Sequence, residues 1–222
     1  MLEIACFNVS SAIIAANTGV DRIELCANYA AGGVTPSYDS FQLLCKDIKI
    51  AINVMIRPRA GDFNYSDSEF QQMKSEIQLF KPEASGFVFG ILDDKNHVDE
   101  QRSRQLVELA APLPCTFHRA FDQVPDLFKA TEQVISCGFK SILTSGGQPS
   151  AQLGAGKVAE LQTKFGKTIS FILGGGIRST NIEVLQRQTG VPWLHSAAIT
   201  GSGELVDEDE IARLLSSLKN EN

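Results

Sequence analysis

The chain is poor in the features that usually betray a function quickly. Its 5 cysteines are an odd number with no Cys-x-x-Cys pair, which argues against a disulfide framework or a structural zinc site. Cys6, Cys26, Cys45, Cys115 and Cys137 read instead as reduced thiols, most of them in the core, where free cysteine is common. Positive charge is scarce: 20 Lys and Arg stand against 26 Asp and Glu, a net charge of −6. With no basic stripe to meet phosphates, nucleic acid is not an expected partner. No apolar run approaches the roughly 20 residues of a membrane span. Met1 to Cys6 has neither the basic lead nor the apolar core of a signal peptide, so the expected location is cytoplasmic, away from membranes. Nor is there a linker rich in proline, serine or charge, so residues 1–222 are expected to form one domain.

What the chain does have is a balanced composition, 43% hydrophobic and 21% charged, with enough length to bury a sizeable core. It also has a repeating plan. Pro114 to His118 is a short apolar strand that turns abruptly polar, placing His118, Arg119 and Asp122 just before a helix opened by Pro125. Strands are expected at Leu2–Cys6, Asp21–Cys26, Ile50–Ile56, Gly86–Ile91, Pro114–His118, Phe139–Thr144, Thr168–Leu173 and Trp193–His195, each followed by a helical segment. Ser10 or Ser11 is positioned to cap the first helix, and the last helix is expected at about 207–218. Eight strand–helix units in a chain approaching the ~250 residues typical of the fold predict a (β/α)8 TIM barrel. An open doubly wound sheet is the alternative and would need fewer strands.

In α/β proteins ligands bind at the carboxyl ends of the strands. Aligning those ends gathers Glu3, Cys6, Glu24, Cys26, Arg57, Arg59, His118, Arg119, Asp122, Ser145 and its glycines, Gly174 to Gly176, His195 and Ser196. Opposite charges at a barrel mouth can simply form an ion-pair layer capping the core. They can also form a site. Glu24 alternates with Ile23 and Leu25, so its carboxylate faces the barrel interior; it should pair with Arg57 or His118, or hold a raised pKa as a proton-transfer group. His118 is the natural acid–base partner, although a strand-end histidine can also be a satisfied structural residue. Glu24, Arg57, His118, Arg119 and Asp122 are therefore the candidate catalytic set. Ser145, Gly146 and Gly147, then Gly174, Gly175 and Gly176, and finally Ser196 close three successive strands with small residues. Small residues let backbone N–H groups converge on an anion, and barrels commonly place phosphate there. The same glycines could be only tight turns.

The motifs Asp21-Arg-Ile-Glu-Leu-Cys26, Gly32-Gly-Val-Thr-Pro-Ser37, Met55-Ile-Arg-Pro-Arg59, Gly61-Asp-Phe-Asn-Tyr-Ser-Asp67, Thr116-Phe-His-Arg-Ala-Phe-Asp122, Leu143-Thr-Ser-Gly-Gly147 and Gly174-Gly-Gly-Ile177 together resemble the CutC family of copper-homeostasis proteins over nearly the whole chain. The resemblance implies a cytoplasmic barrel, a homo-oligomer, a link to copper tolerance and copper as Cu(I) for a ligand, with Cys26 as the metal residue. Several members carry cysteine at the position of Ala5. Here the cysteine is Cys6, one step along, which by strand alternation faces the other way. Cu(I) favours soft thiolate and thioether donors. Beside this copper reading stands an enzyme reading: an acid/base mouth acting on a small anionic metabolite, such as a phosphorylated one.

Overall fold

The computed structural model describes residues 1–219. Strands β1 (Leu2–Cys6), β2 (Arg22–Leu25), β3 (Ala51–Met55), β4 (Gly86–Phe89), β5 (Cys115–Phe117), β6 (Ser141–Thr144), β7 (Ser170–Leu173) and β8 (Trp193–Ser196) alternate with helices α1 (Val9–Thr18), α2 (Tyr38–Asp47), α3 (Asp67–Phe80), α4 (Glu100–Ala110), α5 (Leu127–Ser136), α6 (Ala151–Phe165), α7 (Ile182–Thr189) and α8 (Glu208–Lys219). The strands pair in parallel, in sequence order, and β8 returns to β1 to close the barrel. The expected TIM barrel is the fold.

Alternation along each strand builds two cores. Leu2, Ile4 and Cys6 of β1, Ile23 and Leu25 of β2, Phe87 and Phe89 of β4, and Phe117 of β5 face outward and pack beneath the helices in one large cluster. Phe41 of α2 and Phe80 of α3 press on each other edge to face at 5.2 Å. Each such buried side chain contributes about 1.5–3 kcal/mol through removal of apolar surface from water. The inward faces carry the polar residues together with Ala5, Leu143, Ile172 and a small separate apolar cluster of Cys26, Met55 and Val88 backed by Phe7.

Capping chemistry sets the helix boundaries and corrects some expectations. Asn8, not Ser10 or Ser11, caps α1 by accepting the Ser11 N–H; the Ser11 hydroxyl is instead spent on the Glu204 carbonyl and the Val206 N–H. Ser66 and Glu69 form a reciprocal capping box on α3. Pro125 does not open α5, which starts at Leu127 under an Asp126 cap, because a 3-10 turn at Arg119–Gln123 intervenes. Among the described residues no helix is long and apolar enough to cross a membrane.

Registration positions the site. Glu3 lies beside His195 on β8 and beside Arg22 on β2. Ala5 lies beside Glu24, and Glu24 beside Asn53 of β3. Two carboxylates and a histidine thus meet inside the barrel on β8, β1 and β2.

Candidate active site at the barrel mouth

A cavity of about 310 Å³ opens at the carboxyl ends of the strands, lined among others by Glu24, Cys26, Arg57, His118, Arg119, Gly175, Gly176, Arg178, His195 and Ser196. Its floor is a connected ionic network. Glu3 lies 2.5 Å from Arg22 Nε and 2.8 Å from His195 Nδ1. Burial alone would raise the Glu3 carboxyl, but the His195 hydrogen bond and the Arg22 charge hold it below its usual value. Glu3 is therefore ionised and His195 Nδ1 is the donor. His195 Nε2 in turn lies 3.8 Å from Glu24 Oε2. Burial works against the charged imidazole, yet Glu24 and Glu3 together raise its pKa.

Glu24 is the unusual member. It is 3% exposed, and among the described residues its Oε1 has no hydrogen-bond partner. Its Oε2 accepts only from the Cys26 thiol, at 3.5 Å. Burial lifts the carboxyl above its usual range, and the His195 charge only partly offsets this. Glu24 and His195 thus both have their protonated forms favoured and lie 3.8 Å apart, an arrangement suited to proton transfer. Glu3, Glu24 and His195 each offer a donor atom within 4.8 Å of the others, the closest approach to a metal-ligating group among the described residues, although Arg22 already neutralises Glu3.

The expected pairing of Glu24 with Arg57 or His118 does not form. Arg57 is buried, and its guanidinium is drawn to backbone: Nη1 donates to the Ala31 and Gly33 carbonyls and Nη2 to that of Gly61. Strand order explains the difference, since the β1–β8 register brings His195 nearer to Glu24 than either expected partner. His118 accepts the Ala120 N–H on Nδ1 at 3.2 Å, so the neutral ring carries its proton on Nε2, which has no partner. Burial first, and the Arg57 charge second, push its pKa down to about 3. His118 is thus held neutral, with its Nε2–H unengaged among the described residues.

The rim divides in two. After β6 the loop is filled by the chain's own carboxylate: Asp122 accepts from the Thr144 hydroxyl, the Ser145 N–H and the Gly147 N–H, and pairs with Arg119 Nε at 2.8 Å. The Ser145 hydroxyl sits between Asp122 and the Gln148 carbonyl and accepts from Arg119 Nη2. Gly146 donates to the Thr144 hydroxyl, and a Cβ there would meet the Gly154 carbonyl oxygen of α6 at 2.5 Å. Ser145, Gly146 and Gly147 are therefore engaged within the protein, and Asp122 anchors them. After β7 the picture is different. Gly174 donates to the Thr144 carbonyl, but among the described residues the N–H groups of Gly175 and Gly176 donate to no group of the chain. Both adopt the left-handed backbone, φ +101° and +84°. The Ser196 hydroxyl is engaged within the protein, donating to the Ile177 carbonyl and accepting from the Ala198 N–H and Arg178 Nη1. Arg178, on the wall, donates to the Ile177 and Ile199 carbonyls.

Arg59 leaves the mouth for Glu69 and Asp62. Cys26 faces the cavity, where burial, then Glu24, drive its thiol well above the usual range. Cys6 points into the outer core, as alternation requires. Sequence reasoning gathered Glu3 and His195 at the rim without assigning them a role, and it left Arg178 out of the anion site. The available signals were a glutamate within the apolar first strand and an arginine two residues after the triple glycine.

Comparison with known proteins adds to this geometry. The CutC family profile matches residues 1–200. A CutC family protein of Photorhabdus laumondii is 42% identical over 199 residues, covering 89% of this chain and 79% of that protein. The human copper homeostasis protein cutC homolog is 40% identical, over 89% of this chain and 73% of the relative. Among solved structures, a CutC protein from Streptococcus agalactiae superposes with a TM-score of 0.84 at 32% identity, covering 90% of this chain and 99% of that one. A phosphoribosyl anthranilate isomerase from Thermotoga maritima reaches 0.66 at 11% identity, which shares the fold alone.

Proposed function

The chain belongs to the CutC family, and from that premise we propose that it serves in copper homeostasis, the role for which its human relative is named. The proposal includes a cytoplasmic location and a homo-oligomeric assembly. The donor set does not fit a two-thiolate Cu(I) site within one chain. Cys26 is the single thiol lining the mouth, it is held protonated beside Glu24, and Cys6 lies in the other core. Its soft neighbour is the thioether residue Met55. Direct Cu(I) binding through Cys26 is thus expected to be weak. Competition against a Cu(I) chelator tests it: Cys26→Ser should lose what binding there is, while Cys45→Ser should not. Equal affinities for the two variants remove Cys26 as a metal ligand.

A second reading rests on one observation, the buried Glu24 carboxyl lying 3.8 Å from His195 Nε2 in a cavity whose β7 side carries free N–H groups. It is an acid/base enzyme site for a small anionic metabolite. Glu24 and His195 would move the proton, with Glu3 orienting the imidazole. The neutral His118 N–H would polarise an oxygen, and the Gly175 and Gly176 amides would receive the anion. Native mass spectrometry of gently purified protein should find a small anion retained, and Glu24→Gln should abolish its turnover while leaving the fold intact. A Glu24→Gln variant that turns the metabolite over normally defeats this reading.

A further inference from the structure

The cavity has two cationic poles with no anion of their own. Among the described residues neither Arg57 nor Arg178 forms an ion pair with a carboxylate, whereas each of the other seven arginines does, within 4.0 Å. Arg57 is only 6% exposed. A buried guanidinium held by carbonyl oxygens and an aromatic face, with no carboxylate, keeps its full charge in a medium of low polarisability, which is costly unless a counter-anion approaches. The carbonyls do, however, fix its position. Arg178 is held by the Ile177 and Ile199 carbonyls and by the Ser196 hydroxyl.

Placement makes the pair informative. Arg57 follows β3 and Arg178 follows β7. In a closed barrel ordered β1 to β8, those strands lie on opposite sides. The two charges therefore face each other across one mouth, both lining the same cavity. Each pole has unused donors beside it. Near Arg178 these are the N–H groups of Gly175 and Gly176. Near Arg57 they are its own Nε and His118 Nε2, both buried and without partners. Phe63 packs on this second pole, 4.8 Å from the His118 ring and 4.8 Å from Arg57 Cζ, so a ligand reaches those donors by displacing that ring.

We propose that the ligand of this mouth is a bivalent anion, a small molecule with a phosphoryl group at Arg178, Gly175 and Gly176 and a carboxylate or similar planar oxyanion at Arg57 and His118. The proposal rests on the anion-site reading given above and makes it more specific. A molecule carrying only one anionic group neutralises one pole and leaves the other bare. A molecule carrying both satisfies both, and its second contact is intramolecular once the first is made. The central stretch of such a molecule lies over Glu24 and His195.

Isothermal titration at fixed ionic strength with inorganic phosphate, acetate, phosphonoacetate, 3-phosphonopropionate and 4-phosphonobutyrate tests this on the unaltered protein. One of the bivalent compounds should bind at least about tenfold more tightly than phosphate, with a preferred spacer length. Arg57→Gln should remove that advantage and leave phosphate binding unchanged. Arg178→Gln should weaken phosphate and the bivalent compounds together. If no bivalent compound outcompetes phosphate on wild type, or if Arg57→Gln weakens phosphate as much as the bivalent compounds, the inference is overturned. Phosphate binding through Gly175 would then stand or fall separately. The wild-type series decides the matter even if Arg57→Gln, which loses three carbonyl contacts, does not fold.

Discussion

The loops after β6 and β7 look alike in sequence, Ser145-Gly-Gly147 and Gly174-Gly-Gly176, yet one is full and the other open. Asp122 occupies the first, taking the N–H groups that could have held a ligand. Among the described residues no group takes the Gly175 and Gly176 amides of the second. The same division separates the two histidines. His195 has a carboxylate facing each ring nitrogen, whereas His118 faces Arg57 and keeps one nitrogen free. The lesson is that groups satisfied within the chain hold the barrel together, and groups left unsatisfied around the cavity are the ones available to a ligand. Substitutions should sort accordingly: stability for the full side, binding for the open side.

The largest loss is expected for Glu3→Ala, which strips Arg22 and His195 of their shared carboxylate in the barrel floor. Removing one partner of a buried ionic network costs about 3–5 kcal/mol, readable as a shift in the urea midpoint. A midpoint near that of wild type would mean the floor is not a structural network. Next comes Asp122→Ala, at about 2–3 kcal/mol, because the Thr144, Ser145 and Gly147 donors lose a charged acceptor. Here inorganic phosphate should restore part of the loss by entering the vacated loop; no restoration would break the parallel between the two glycine loops.

An effect that is smaller within any one pH unit follows from acid. The folded His118 ring stays neutral down to about 3, while the unfolded ring takes up a proton near the ordinary value of about 6.5. The unfolded state thus binds the extra proton below that value, so stability is full above it and declines as pH falls. The slope from this one group is about 1.4 kcal/mol per pH unit. In His118→Gln the acid-limb slope should be shallower by that amount. An unchanged slope would show that His118 protonates freely in the folded protein and so belongs with the satisfied groups.

Much of this was legible in the sequence, and the boundary is physical. Strand parity, set by a period of two, foretold that Glu24 faces inward and that Cys6 does not. The strand–helix repeat foretold the barrel. Pairing across the barrel was not legible, because it depends on closure: Glu3 meets His195 only when β8 returns to β1, 192 residues later. The state of a glycine loop was not legible either. Gly147 and Gly175 are both left-handed, at φ +70° and +101°, and only the 3-10 turn after β5, which the residue pattern did not announce, carries Asp122 into the first loop.

The measurement that bears most directly on the open mouth is the stability gained from phosphate by wild type and by Gly175→Val. Gly175 has φ +101°, and a Cβ there would lie 3.1 Å from Ser145 Cβ and 3.5 Å from Arg119 Cζ. The variant is therefore somewhat strained by itself, and the quantity to compare is the increment on adding phosphate. For wild type, millimolar phosphate should raise the unfolding free energy, reaching about 2.7 kcal/mol at one hundred times its dissociation constant. Gly175→Val should gain nothing, since a branched side chain closes the approach to the two free amides. Equal increments in the two proteins would contradict the account and leave the β7 glycines as a turn.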